Sequence, residues 1–240
     1  MTARRAKLQA RQLEGKTLHY IAVEPDGYDP DRTYPMIILL HGFGAHMGDL
    51  ASLAPAIDAE SYVYIFPNAP IPFEIGPGAT GFGWTYPRHI PQELRRADDV
   101  DSVVEMLAVL VDEVTESYAI EQGQAILGGF SQGGMMTYRY GLPNPGLFKG
   151  LVVLSAVVPD SGTMRDTLPK ERSQPIFVGH GTGDMVVTVQ SARDARDFLE
   201  AEGYAPEYHE YPMAHEISQQ TLTDLAQWIR QTLPPVRMQV

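Results

Sequence analysis

The sequence predicts a single α/β domain with a mainly parallel central sheet and helices on both faces. Three observations carry this. Short apolar runs recur along the chain, amphipathic helical stretches separate them, and no repeat or linker divides its 240 residues. Buried parallel strands read as near-continuous apolar runs, and parallel neighbours need helical crossovers. One domain of this length is ordinary.

The elements follow in order. Residues 1–16 carry Arg4, Arg5, Lys7, Arg11 and Lys16 against Glu14, and are expected to form a partly helical surface arm before a domain spanning 17–240. No apolar run of signal-peptide length follows Arg4-Arg5, so a cytoplasmic location is expected. Thr17–Val23 alternates and suggests an edge strand. Met36–Leu40, Tyr62–Phe66, Ala125–Leu127, Leu151–Leu154 and Ile176–Val178 read as buried strands, and Glu207–Tyr211 as a late one. Ala97–Tyr118 places Val100, Val103, Val104, Leu107, Leu110, Val111 and Val114 on one helical stripe. Gly133–Tyr140, Val189–Glu202 and Ile217–Leu233 complete the helices; Gly203 and Pro234-Pro235 supply stop signals. Pro67–Pro91 breaks the rhythm with six prolines, and is expected to be a long loop packed by Phe73, Phe82, Trp84 and Tyr86. Ala156–Gln174 is too short for a cap domain, so an accessible groove is expected.

Composition narrows the function. Hydrophobic residues at 44% exclude disorder as the main state. A net charge of -12 argues against nucleic-acid partners, because the phosphate backbone would repel the surface. The absence of cysteine removes thiolate nucleophiles, disulfides and Cys-held metals. No stretch approaches the length of a membrane span.

Gly129-Phe130-Ser131-Gln132-Gly133 matches G-x-S-x-G, the nucleophile elbow of α/β-hydrolases. A strand precedes it and a helix follows. Small residues two before and two after the serine let the two backbones approach. A serine hydroxyl needs a general base, usually His, held by an acid. In this fold the chain order is Ser, acid, His. Asp184 follows the Ile176–Val178 strand and is the favoured acid, with Asp160 and Asp166 as rivals. His215 lies between the last strand and the last helix; the other downstream histidines, His180 and His209, sit at a strand end and within a strand. The oxyanion needs backbone N–H donors, expected from Gln132 and from Phe43 in Leu40-His41-Gly42-Phe43-Gly44.

These stretches, with His180-Gly181-Thr182-Gly183-Asp184-Met185-Val186-Val187 and Ala214-His215-Glu216, resemble the phospholipase/carboxylesterase family of small α/β-hydrolases, which includes acyl-protein thioesterases. The resemblance runs from about Tyr34 to Leu233. It implies a Ser131–His215–Asp184 triad, an oxyanion hole from Phe43 and Gln132, and ester or thioester hydrolysis without cofactor or metal. Trp84 resembles the aromatic position beside the family's acyl pocket. Phe73, Phe82 and Met185 complete the candidate substrate contacts. Ala45, Thr188 and Gly83-Trp84-Thr85-Tyr86 depart from the usual family residues, so acyl-protein specificity does not carry over.

Two further matches fail on context. Gly76–Gly81 spells G-x-G-x-x-G but neither follows a predicted strand nor opens a helix, and His215-Glu216 lacks the second His of H-E-x-x-H. The expected function is a serine carboxylesterase acting on small-molecule esters with short-to-medium acyl groups. Thioesterase or lysophospholipase chemistry, amide or lactone hydrolysis, and a non-catalytic ligand-binding role are the alternatives.

Overall fold

Side chains of successive strand residues point to opposite faces of a sheet, so a continuous apolar strand feeds two cores at once. The strand β3 (Met36–Leu40) does this: Met36, Ile38 and Leu40 enter one core, Ile37 and Leu39 the other. In β4 (Val63–Pro67), Val63 and Ile65 join the first core and Tyr64 and Phe66 the second. The fold was obtained as a computed structural model that describes residues 8–87 and 100–235.

The strands β1 (Gln9–Glu14), β2 (His19–Glu24), β7 (Ala125–Phe130), β8 (Gly150–Leu154), β9 (Ile176–Gly181) and β10 (Glu207–Tyr211) complete the main sheet. Its order is β1-β2-β4-β3-β7-β8-β9-β10. The β1/β2 and β2/β4 pairs are antiparallel and all the others parallel. Against the first core packs α2 (Val100–Ser117), through Val103, Leu107, Leu110, Val111 and Val114, together with Ala195 and Leu199 of α5 (Val189–Ala201). The opposite core receives α1 (Ala54–Ile57) and α6 (Gln219–Thr232), the latter through Leu222, Leu225, Trp228 and Ile229. This is the α/β-hydrolase architecture, a mainly parallel sheet covered on both faces.

Four expectations change. Residues 9–14 are not a helical arm; they form β1, the outermost strand, so β2 is not an edge. Alternating polar residues, with Arg11 ion-paired to Glu24, suit a solvent-facing edge strand. The segment expected as a loop from Pro67 holds an antiparallel hairpin, β5 (Ile71–Gly76) and β6 (Ala79–Gly83), turning at Gly78 with φ +72°. Residues 88–91 of that segment, and 97–99 of the expected helix, lie outside the described residues. The helix after the elbow, α3 (Gln132–Met136), gives way to a π-helical turn over Thr137–Gly141. There the Thr137 hydroxyl donates back to the Gly133 carbonyl at 3.0 Å, a side-chain bond that perturbs the regular ladder. Between β8 and β9 the only helix among the described residues is the seven-residue α4 (Ser161–Thr167), so no cap domain is inserted between these two strands. No described helix is long and apolar enough to cross a membrane.

Candidate active site

The site stands at the C-terminal ends of the parallel strands, where open α/β sheets place their ligands. Ser131 occupies the turn between β7 and α3 with φ 53° and ψ -116°, a backbone region that side chains avoid. The sharpness of the turn demands glycine at both flanks. A Cβ on Gly129 would lie 2.3 Å from the Gly133 backbone, and one on Gly133 would lie 2.1 Å from the Leu40 carbonyl. Ser131 N–H is anchored to the Leu154 carbonyl at 2.8 Å, which ties the elbow to β8.

The favoured acid and base come together on it. Ser131 Oγ lies 3.0 Å from His215 Nε2, and His215 Nδ1 lies 2.7 Å from Asp184 Oδ2. Asp184 and His215 stand 31 positions apart in the chain, and main-chain bonds bridge the gap. Thr182 N–H donates to Tyr211 and Gly183 N–H to Met213, joining the loop after β9 to the one after β10. Asp184 is buried, and its Oδ1 accepts the N–H groups of Val186 and Val187 at 2.9 and 2.8 Å. Burial pushes this carboxyl upward, but the His215 bond and the Val187 and Val186 N–H groups outweigh it and hold the carboxyl below its ordinary value. Phe130 packs on the His215 ring with centroids 4.8 Å apart. The rival acids are elsewhere: Asp160 caps α4 by accepting the Thr163 N–H and also accepts the Thr163 hydroxyl, and Asp166 is exposed on that helix.

The predicted oxyanion donors flank the serine. Among the described residues, neither Phe43 N–H nor Gln132 N–H donates to a protein acceptor, while neighbouring amides are occupied: Gly44 N–H bonds Phe82 and Ala45 N–H bonds Gly42. The loop carrying Phe43 is held from below by His41. Its Nδ1–H donates to the Gly42 carbonyl at 2.7 Å, and its Nε2 accepts from Ala69 N–H at 3.0 Å. Burial pushes the His41 ring toward its neutral form, which this pair of bonds requires. The β5–β6 hairpin holds the loop from the side, with Phe82 and Ala45 exchanging backbone contacts. Gln132 fastens hairpin to elbow: its Oε1 accepts Trp84 N–H at 2.7 Å, and its Nε2 donates to the Thr85 carbonyl and hydroxyl at 2.9 and 2.7 Å.

An open cleft of about 330 Å³ leads to Ser131 and His215. Its walls are chiefly Phe43, Leu50, Leu53, Phe130 and Ile217, with the acids Asp49 and Glu216 on the rim. Of the predicted substrate contacts, Trp84 is corrected. It has no exposed surface and instead donates its indole N–H to the His41 carbonyl at 2.9 Å, so it supports the loop that carries Phe43 from inside. Phe73 packs edge-on against Phe43 at 4.8 Å, and Phe82 continues the hairpin; both lie outside the lining of this cleft. Met185 projects into solvent with 90% of its surface exposed and also lies outside that lining. Sequence reasoning missed Leu50, Leu53 and Ile217. Their proximity to the glycine-rich loop and to His215 was the available signal.

Comparison with known proteins bears on the family and the fold. The phospholipase/carboxylesterase family model matches residues 28–233. Acyl-protein thioesterase 1 of Debaryomyces hansenii is 29% identical over 210 residues, covering 82% of this chain and 90% of the relative. Carboxylesterase SOBER1 of Arabidopsis thaliana is 30% identical over 177 residues, covering 71% and 77%. The crystal structure of SOBER1 superposes with a TM-score of 0.70 at 26% identity, over 84% of this chain and all of that one. That of esterase PE8, at 22% identity, has a TM-score of 0.73 over 95% of this chain and all of that one, and shares the fold. The chain therefore belongs to the phospholipase/carboxylesterase family of α/β-hydrolases.

Proposed function

We propose that the protein is a serine carboxylesterase for small-molecule esters with short-to-medium acyl groups. The observation that carries this reading is the continuous path from Ser131 Oγ through His215 to the buried Asp184, at 3.0 and 2.7 Å. Ser131 attacks the ester carbonyl while His215 Nε2 takes its proton, and Asp184 stabilises the imidazolium. Phe43 and Gln132 N–H groups receive the developing oxyanion; a single such donor is worth about 10²–10³ in kcat. His215 then protonates the departing alcohol. Water activated by the same imidazole releases the acid from the acyl-enzyme.

The acyl preference rests on the cleft. Its 330 Å³ lies near the lower end of the roughly 300–1,000 Å³ typical of ligand pockets, and its walls are mainly apolar. Thioester hydrolysis uses the same machinery, and relatives named acyl-protein thioesterase favour keeping it as the second reading. A purely ligand-binding role is disfavoured, because it would not need a strained serine aligned with a base and an acid. No step requires a cofactor or metal.

The test is a p-nitrophenyl ester series from acetate to palmitate, run on the wild type and Ser131→Ala. Turnover on short chains that falls by roughly 10⁶ in the variant is expected. Esterase turnover retained by Ser131→Ala overturns the mechanism. A preference for palmitate, or for thioesters over matched esters, overturns the substrate class.

A further inference from the structure

The strand β9 ends in a second buried histidine close to the acid. His180 has no exposed surface. Its Nε2 lies 2.8 Å from the Val187 carbonyl and 3.4 Å from Asp184 Oδ2. A carbonyl can only accept, so Nε2 carries a proton and is the donor in this contact. Nδ1 has no protein partner among the described residues. The ring's polar contacts are thus directed to the loop that carries Asp184.

The target of that bond is informative. Val187 donates its N–H to Asp184 Oδ1 and offers its carbonyl to His180. His180 therefore pins the residue that pins the carboxylate, and its N–H also stands beside the oxygen that meets His215. The neighbouring acid at the same register on β10, Glu210, is engaged elsewhere by Arg193 at 2.7 and 2.8 Å. Asp184 is the ionisable group that His180 meets.

We infer that His180 is a positioning residue for the reaction: through the Val187 carbonyl and Asp184 Oδ2, its Nε2–H sets the direction in which the carboxylate faces His215. The inference rests on Asp184 being the acid of the proposed mechanism. Such positioning matters because a misplacement of about 1 Å can cost about 10²-fold in rate. A space-filling role would be served equally well by an apolar side chain of similar volume, and this separates the two.

The experiment measures kcat, KM and the pH profile of kcat/KM on p-nitrophenyl acetate for His180→Leu, His180→Gln and His180→Asn. Leu fills the space without a donor. Gln carries an amide N–H at about the reach of Nε2, whereas the Asn amide falls short. For His180→Leu, kcat is expected to fall about 10- to 100-fold with little change in KM. The acid limb is expected to move to lower pH, because a misdirected carboxylate stabilises the His215 imidazolium less. Gln should recover most of the rate and Asn should not. Wild-type kcat and pH profile in the folded Leu variant would overturn the inference. If that variant does not fold, the pair of amides decides, and Gln no better than Asn overturns it. Turnover retained by Ser131→Ala would instead sink the mechanism itself; loss there with unaffected His180 variants sinks only the positioning role.

Discussion

Replacing Asp184 by Asn exchanges one carboxylate oxygen for an NH2 group, and the surroundings dictate which one. Oδ1 accepts two backbone N–H groups, at 2.9 and 2.8 Å. Turning an NH2 toward them would break both bonds and set donor against donor, at about 1–3 kcal/mol for each buried group left unpaired. The amide oxygen therefore stays on Val186 and Val187, and the NH2 faces His215 Nδ1, 2.7 Å away in the native site. His215 must then offer a lone pair at Nδ1 and carry its proton on Nε2. That proton points at Ser131 Oγ, so the imidazole donates to the nucleophile and cannot deprotonate it. The expected loss in kcat is about 10⁴, equivalent to roughly 5.5 kcal/mol of transition-state stabilisation, with KM changed little. Initial rates on p-nitrophenyl acetate measure it, with Asp160→Asn as the control, since Asp160 caps α4 away from the triad. A loss below tenfold in Asp184→Asn, or an equal loss in Asp160→Asn, would refute the reasoning.

The remaining predictions concern strain, shape and pH. Ser131→Gly should abolish turnover yet raise the melting temperature by roughly 2–4 °C, because about 1 kcal/mol of backbone strain at φ 53° is relieved; an unchanged or lower melting temperature counts against that strain. Leu53→Trp should narrow the cleft and move the optimum in an ester series toward acetate, and an unchanged chain-length profile would place the acyl group elsewhere. Glu210 is held down to about 2, first by its bonds to Arg193 and then by Tyr208 against the opposing effect of burial. A lowered carboxyl stabilises the fold above its ordinary value near 4.5 and loses that contribution as pH falls through about 2. The melting-temperature gap between wild type and Glu210→Gln should therefore be widest near neutrality and close toward pH 2; a gap independent of pH would show that the ion pair is not its source.

Much of the architecture was legible because its signals are local. The runs Met36–Leu40 and Glu207–Tyr211 coincide with β3 and β10, and Val189–Glu202 differs from α5 by one residue. A continuous apolar run or a helical stripe reflects burial that each segment meets in the same way along its length. The elbow was legible for a similar reason: where an added Cβ would stand only 2.1–2.3 Å from neighbouring backbone, only glycine fits, and that leaves a compositional trace. The order of Ser131, Asp184 and His215 along the chain then limited the partners to a few candidates.

Where reading failed, the deciding contacts were remote in sequence. Polar β1 became a strand because β2 offered it an open ladder, not because its residues favour one. The proline-rich segment became a hairpin because Phe82 bonds the Gly44-Ala45 backbone, and no local pattern encodes that partner. Trp84 carries the same lesson: an aromatic side chain suits both a pocket wall and a buried brace. Only packing against His41, 43 residues away in the chain, distinguishes the two. Local composition determines which segments become strands, helices and the elbow, since those depend on neighbours along the chain. Which acid reaches His215, what braces the Phe43 loop and which side chains line the cleft depend on distances across the fold, so tertiary packing alone decides them.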